Sequence, residues 1–499
     1  MTEDRIALGT ARGRWVLAAT ALGSGMAFLD GTVVNVALPA MGEDLNANMA
    51  GLQWIVNGYM LMLASLVLLS GSLGDRLGRR RTFVVGVVWF AIASMVCAIA
   101  PTLEVMIAGR VLQGIGGALL TPGSLAILQT TFQHSDRGKA VGTWSGLTSV
   151  AAAVGPFVGG TLVDSGAWQL IFLINVPIAL VTVLVTLRHV PETRDESAGG
   201  KLDLNGALLA TLGLAGLTFG LISAGDHGFT DPMVLVSLII GVVSFAGFVE
   251  VERRSSHPML PLGIFANIRF TGANLVTVAV YGALGTATFL VVVYLQTALG
   301  YSALWAGASL LPMTVLMFAL SGYAGGLSDR IGARIPMTVG PVLMAGGFLL
   351  MLRIDSDSSY FSAVLPAVVL LGLGLVSTVA PLTATVLSSV EDHHAGIASG
   401  VNNAVARSAQ LMAVAAIPMA AGITGDAYRD PVAFHNGFGN ALWISAILAV
   451  AGGVIAWVTL GDRAAKPSHH VLTTAIHHRH CALEAPPLAD VHTDAPHRS

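Results

Sequence analysis

Charge is what this sequence has least of. Of its 499 residues only 11% are charged, against 54% hydrophobic, where an ordinary soluble domain carries roughly 25% charge. At a mean hydropathy of +0.75, no water-soluble fold has interior enough to hide so much apolar surface, which excludes a cytosolic enzyme or a secreted domain. Cysteine is almost missing as well. Cys97 lies in an apolar run and Cys481 in a polar tail, so no disulfide framework exists. The formal net charge of −3 leaves no basic footprint for nucleic acid. There is no Walker loop, GxSxG elbow, HExxH helix or pair of catalytic carboxylates, and hence no case for an ATPase, a hydrolase or any other enzyme.

Long apolar runs are what the sequence has instead. A helix needs about 20 apolar residues to cross the ~30 Å hydrocarbon core. Runs bounded by charges or turn residues fall at 15–38, 52–73, 82–100, 104–128, 138–162, 168–188, 204–224, 232–250, 270–298, 303–326, 334–352, 360–388, 395–422 and 436–460. They are continuous rather than alternating, which excludes a β-barrel. The first is too long for the 7–15-residue core of a signal peptide and has no cleavage site, so it reads as a retained helix. Fifty-eight glycines suit close helix packing in lipid. The expected fold is an all-α polytopic membrane protein of fourteen helices.

Basic residues orient it. If the N-terminus is cytoplasmic, the inner loops hold Arg76, Arg79, Arg80, Arg81, Arg137, Lys139, Arg188, Arg194, Lys201, Arg253, Arg254, Arg269, Arg330 and Arg334. The outer loops hold only Arg353 and Arg429. This asymmetry obeys the positive-inside rule and predicts both termini in the cytoplasm of a cell bounded by a plasma membrane.

One internal repeat divides the chain. GSLGDRLGRR at 71–80 recurs as GGLSDRIGAR at 325–334, and RGKAVG at 137–142 is echoed by AGIASG at 395–400. Each offset covers eight helices, so a six-helix unit is duplicated with two helices between the copies. The expected division is a cytoplasmic N-terminus (1–14), an N-terminal bundle (15–189), a linker with two extra helices (190–252), a C-terminal bundle (253–460) and a disordered tail (461–499). Transporters built from such repeats rock two bundles about a central site.

LDGTVVNVALP (29–39), GSLGDRLGRRR (71–81), RVLQGIGGA (110–118) and GLTSVAAAVGPFVGG (146–160) give the chain a strong resemblance, over residues 15–460, to the major facilitator superfamily in its fourteen-helix drug:proton antiporter branch. The resemblance implies an exporter of hydrophobic small molecules, cations among them, driven by a proton gradient with no other cofactor and working as a monomer. It implies a cytoplasmic gate at Gly71, Asp75, Arg76, Gly78, Arg79 and Arg80, with a second copy around Asp329 and Arg330. A carboxylate at Asp75 suits the exposed N–H groups of a facing helix N-terminus; the alternative is a basic loop that only sets topology. It also implies an antiporter motif at Gly146, Gly155, Pro156, Gly159 and Gly160. There a GxxxG pair brings backbones close and a proline bends the helix, sealing the interface between the bundles. Three rivals stand beside this reading: export of an endogenous metabolite such as an antibiotic or siderophore, an uptake symporter, and a non-transporting sensor.

Three charges lie deep in the apolar runs, where each costs ~2.5–3.5 kcal/mol on insertion scales. At ~1.5 Å per residue, Asp30 and Arg110 come to roughly the same depth on helices of opposite direction. Arg110, Gln113, Gly117 and Thr121 form a polar stripe. Asp30 is the expected proton-coupling carboxylate, competed for by proton and cationic substrate, with Arg110 tuning it. The alternative is a structural pair joining helices 1 and 4. Arg407 lies in NNAVARSAQ (402–410), sharing a face with Asn403, and is as fit for a structural role as for the cavity. No acid lies deep in the last six helices, which argues against dicationic substrates and more than one proton per cycle.

The substrate cavity between bundles is expected to draw on Met26, Asn57, Tyr59, Met62, Gln113, Trp144, Asn175, Tyr281, Phe289, Asn403 and Arg407. Trp54, Asn274, Gln296, Trp305 and Met317 are further candidates, with interface anchoring the alternative for the tryptophans. The tail holds seven of the fourteen histidines. Its HHRHC (477–481) fits no standard zinc spacing, so no metal site is expected.

Overall fold

The computed structural model describes residues 5–194, 202–255, 258–355, 358–391 and 395–461. Its helices are α1 (Ala11–Asp44), α2 (Met49–Leu77), α3 (Arg79–Ala98), α4 (Leu103–Thr131), α5 (His134–Asp164), α6 (Leu170–Leu173), α7 (Asn175–His189), α8 (Leu204–His227) and α9 (Pro232–Arg254). They continue as α10 (Ile268–Thr297), α11 (Ala303–Ala308), α12 (Leu311–Ile331), α13 (Arg334–Met351), α14 (Leu365–Ser388), α15 (Ala395–Ala420) and α16 (Pro431–Thr459). The described residues contain no strand. Among the described residues thirteen helical segments are long and apolar enough to cross a membrane. The fourteenth expected span is α15, whose Asn402, Asn403, Arg407 and Gln410 dilute its hydropathy. The His-rich tail beyond residue 461, Lys201, His393 and His394 lie outside the described residues.

Local chemistry starts and interrupts these helices. Asn48, Thr102, Asp203 and Ser302 cap α2, α4, α8 and α11, each side-chain oxygen accepting an N–H three residues on, which satisfies a donor the helix leaves free. Asp231–Pro232 and Asp430–Pro431 open α9 and α16 with proline in the first turn, where its missing N–H costs nothing. Two expected spans are broken for one reason. Pro177 has no N–H for the carbonyl of Leu173, where α6 ends, and Pro312 has none for Ala308, where α11 ends.

The packing repeats as the sequence does. α1 packs on α5 and α7, and α10 on α15 and α16; α4 holds α2 and α3 as α14 holds α12 and α13. Gly78 and Gly332, at matching positions of the repeat, end α2 and α12 with φ of +106° and +83°. That region is open to glycine and strained for other residues. α8 and α9 pack on each other, and α8 leans on α2 and α15.

The two halves meet at the end away from the 71–81 loop. One apolar core takes residues from both, including Leu38, Leu52, Phe289, Leu295 and Phe434, whereas the core nearer the basic end, with Phe83, Leu128 and Phe132, comes from the first half alone. Hydrogen bonds across the halves gather at the same closed end. Gln53 Nε2 donates to the carbonyl of Val414 (2.6 Å), Met49 N to that of Gly425 (2.9 Å), Tyr428 Oη to that of Ala47 (2.8 Å) and Gln296 Nε2 to that of Val36 (3.0 Å). Asp226, near the end of α8, accepts from Asn48 Nδ2 and from Gly425 N, both at 3.0 Å. Toward the basic end, by contrast, a side chain at Gly138 or Gly142 on α5, or at Gly322, Gly325 or Gly326 on α12, would meet nothing within 4 Å.

Asp164, the last residue of α5, closes the far end in a specific way. Its carboxylate accepts the N–H groups of Ala303 (2.8 Å) and Leu304 (3.2 Å) at the start of α11, a negative charge at the positive end of a helix in the other half. Asp164→Ala is expected to weaken closure by about 1 kcal/mol, read as faster labelling of a cysteine placed at Ser165.

Candidate functional site

Five helices converge on Asp30. Its carboxylate, in α1, accepts Arg110 Nη1 at 2.6 Å on Oδ2, and Gln113 Nε2 at 2.7 Å and Asn175 Nδ2 at 3.4 Å on Oδ1. Arg110 donates in turn to Gln113 Oε1 (2.6 Å) and to the carbonyl of Ile55 (3.0 Å). Ser94 Oγ accepts from Gln113 and from Asn175. Asp30 and Arg110 are each 1% exposed, so the pair is desolvated. Such an arrangement persists only when its lone pairs and protons are met; here both carboxylate oxygens accept, and Asn175 Oδ1 is left without a partner. The turn of α4 sets the geometry, because Arg110 and Gln113 three residues apart share one face. Glycines on α4 admit the neighbouring helix: a Cβ at Gly114 would lie 2.4 Å from the Tyr59 carbonyl oxygen, and one at Gly117 2.9 Å from its hydroxyl. The Tyr59 ring consequently lies over the Arg110 guanidinium, 4.6 Å from its centroid, an interaction favoured by the ring quadrupole.

On the other side of Tyr59 is a cavity of about 230 Å³ between the two halves. Phe28, Gly31, Thr32 and Asn35 of α1, Val56, Asn57, Met60 and Leu63 of α2, and Thr121 of α4 form one wall. Gly285, Thr288 and Phe289 of α10, with Arg407, Gln410 and Val414 of α15, form the other. Asp30 is not on the lining. Its place is taken by Tyr59, which lies on the lining and covers the guanidinium that Asp30 holds.

The basic loop is ordered within its own half. Asp75 binds Arg79 at 2.6 Å, across the break at Gly78, and Glu192 accepts the N–H of Arg80 at 3.0 Å while lying 3.6 Å from Arg80 Nε and 3.7 Å from Arg81 Nε. Among the described residues Asp75 makes no bond to a facing helix N-terminus. The carboxylate turns to the nearest arginine; across the halves the glycines of α5 and α12 toward this end face open space, while Leu68 of α2 still reaches α15 beside Gly400. The side chain of Asp329 lies outside the described residues. On α5 the glycines divide by direction. A Cβ at Gly155 would lie 2.0 Å from Thr32 Oγ1 and one at Gly159 2.7 Å from Val33, both on α1, whereas one at Gly160 would lie 2.3 Å from the Cα of Leu304 on α11. Pro156 touches α11 as well, beside Gly307. Gly146 stands clear of close packing, with its nearest neighbour Phe318 at 4.0 Å.

A family model described as Major Facilitator Superfamily matches residues 20–414. The chain belongs to that superfamily. It is 35% identical to a tetracenomycin C resistance and export protein of Streptomyces glaucescens, covering 85% of this chain and 79% of the relative. It is 33% identical to a methylenomycin A resistance protein of Streptomyces coelicolor over 91% and 94%, and 34% identical to the multidrug resistance protein Stp of Mycobacterium tuberculosis over 78% and 72%. The fold is shared with a POT family transporter solved with 5-aminolevulinic acid, at a TM-score of 0.68 and 12% identity over 91% and 97% of the two chains. It is shared also with a bacterial homolog of the lysosomal transporter Spinster in an inward-facing conformation, at a TM-score of 0.63 and 17% identity over 90% and 97%.

Within this facilitator fold the expected cavity residues separate. Asn57, Tyr59, Phe289 and Arg407 line the cavity. Gln113 and Asn175 belong instead to the Asp30 cluster. Met26 is buried in the core of the first half, and Trp144 packs there and donates to the carbonyl of Thr20. Met62 packs between α2, α8 and α15, and Tyr281 and Met317 against the main core. Asn403, one turn from Arg407 toward the basic end, is off the lining. Asn274 is bonded by Asn402, Trp54 lies tilted against Phe219 of α8, and Trp305 is 68% exposed. Phe28, Asn35, Thr288 and Gln410 were missed. Their signal was helical phase, since Phe28, Gly31, Thr32 and Asn35, like Arg407, Gln410 and Val414, repeat at intervals of three and four.

Proposed function

We propose that this chain is a plasma-membrane exporter of hydrophobic antibiotic-like or toxic molecules, driven by proton antiport and alternating access. The observation that carries the reading is the buried Asp30–Arg110 pair, one aromatic ring away from a cavity that both halves line. With the basic end cytoplasmic by the positive-inside rule, the reading is of an inward-facing state in which the units 15–189 and 253–460 are the bodies that rock. A proton on Asp30 turns one acceptor oxygen into a donor and strips Arg110 of its counter-charge. Breaking a buried pair costs ~3–5 kcal/mol, the scale of the gaps between conformers, while the membrane potential supplies ~2.3 kcal/mol per charge per 100 mV. Coupling thus runs through the packing of α1 on α4, with Tyr59 reporting the state of the pair to the cavity.

The names of the relatives support drug or antibiotic export. Two of them refer to a single antibiotic, which favours as second reading a narrow exporter of one endogenous metabolite. Both are tested by a resistance and efflux screen in a pump-deficient host, with everted vesicles preloaded with a proton gradient. Export predicts that an effective substrate releases the gradient. A broad response identifies a multidrug pump and a single responder the narrow exporter. No response across a wide panel overturns both.

A further inference from the structure

An unpaired cation stands on the cavity wall. Arg407 makes no hydrogen bond or ion pair among the described residues, although it lies in the middle of α15, within electrostatic reach of Tyr59 and Tyr281. A lone arginine in a membrane helix is costly and calls for a partner. Unpartnered groups surround the same space. Both amide atoms of Asn57, a side chain with no exposure, and Oε1 of Gln410 have no hydrogen-bond partner, where buried polar atoms are normally satisfied. No aspartate or glutamate lines the cavity. The nearest acid, Asp30, lies behind Tyr59 and is neutralised by Arg110. The site thus offers the five N–H donors of a guanidinium, an amide donor and two amide acceptors between the rings of Phe28, Tyr59 and Phe289.

From this arrangement we infer that the cavity takes anionic aromatic molecules, a carboxylate or ionised phenol on a flat apolar ring, with Arg407 as the anion anchor and Asn57 and Gln410 binding a neighbouring hydroxyl. An organic cation meets the wrong charge there. A guanidinium binds a carboxylate by charge-assisted, often bidentate bonds, which the empty wall leaves unmade. The inference deepens the export reading by naming its substrate class and rests on that reading for the cavity being the transport site. Export of an anion also runs with an inside-negative potential.

The test separates charge from shape and needs no proton gradient. The full-length protein in lipid nanodiscs is titrated with anthracene-9-carboxylate and with 9-(aminomethyl)anthracene, which share one ring system and differ in charge. The carboxylate is expected to bind at least tenfold tighter than the amine. Arg407→Gln should lose that preference, Arg407→Lys should keep most of it, and Gln410→Leu should weaken binding less than Arg407→Gln. Melting temperature and elution of each variant control for folding, and the lysine variant supplies the comparison if Arg407→Gln is unstable. Equal affinity for the two probes, binding of neither, or unchanged carboxylate affinity in Arg407→Gln overturns the inference. Proton-coupled export, measured separately in vesicles, stands or falls on its own result.

Discussion

Asp30→Asn is expected to abolish proton-driven efflux, and Asp30→Asn with Arg110→Gln to restore the fold without restoring transport. The single change preserves shape but leaves a guanidinium that is 1% exposed without its counter-charge, a loss of about 3–5 kcal/mol for a buried pair and visible as a lower melting temperature in detergent. Arg110→Gln alone is milder, because the stranded carboxyl can take up a proton and become neutral. In the double variant two neutral amides face Gln113, Ser94 and Asn175, which have donors and acceptors to spare for them, so stability returns. A purely structural pair predicts that efflux returns with it. A coupling pair predicts that it does not, since no group in the cluster then carries a proton. Efflux from everted vesicles together with scanning fluorimetry decides, and a stable double variant that still transports would sink the coupling role.

The second large effect is expected at Gly160. A Cβ there would lie 2.3 Å from Cα and 2.6 Å from N of Leu304. These are backbone atoms at the start of α11, which cannot swing aside as a side chain does. Overpacking costs ~1–3 kcal/mol, and at Gly160 that cost falls on the contact between halves rather than within one. Gly160→Val is therefore expected to open the end that this structure closes, shifting the conformers at least tenfold (about 1.4 kcal/mol). Spin labels at Ser165 and Trp305, with both native cysteines replaced by serine, should report a longer distance. Gly159→Val is the comparison, because its side chain would strike Val33 of α1 in the same half. It should lower stability and leave the distance distribution in place; a matching shift there would remove the distinction.

How much of this was legible beforehand follows from what kind of signal each feature leaves. The spans, the duplicated unit and the shared depth of Asp30 and Arg110 were readable, because apolar length, a repeated loop and a charge in lipid are local and costly to misplace. Which wall each residue faces was not. Helices such as α1 and α10 are apolar on nearly every side, so hydrophobicity does not reveal their rotation; Met26 and Trp144 were chosen by chemical type and proved to be packing. Asp75 failed differently. Its expected partner is a helix end in the other half, and here the carboxylate is held by Arg79 instead. Asp164 carried no signal in the sequence, because its role depends on α11, some 139 residues further on in the chain.

Asp226 gives the two inserted helices a part in the proposed cycle. Through one carboxylate it holds Asn48 of the first half and the backbone of Gly425 in the second, so the closed end is a joint of three bodies rather than two. When that end opens, α8 has to let go of one neighbour and travel with the other. The insertion then acts as a clutch plate, and the half it follows will set which flank of the central cleft is uncovered to the surrounding lipid.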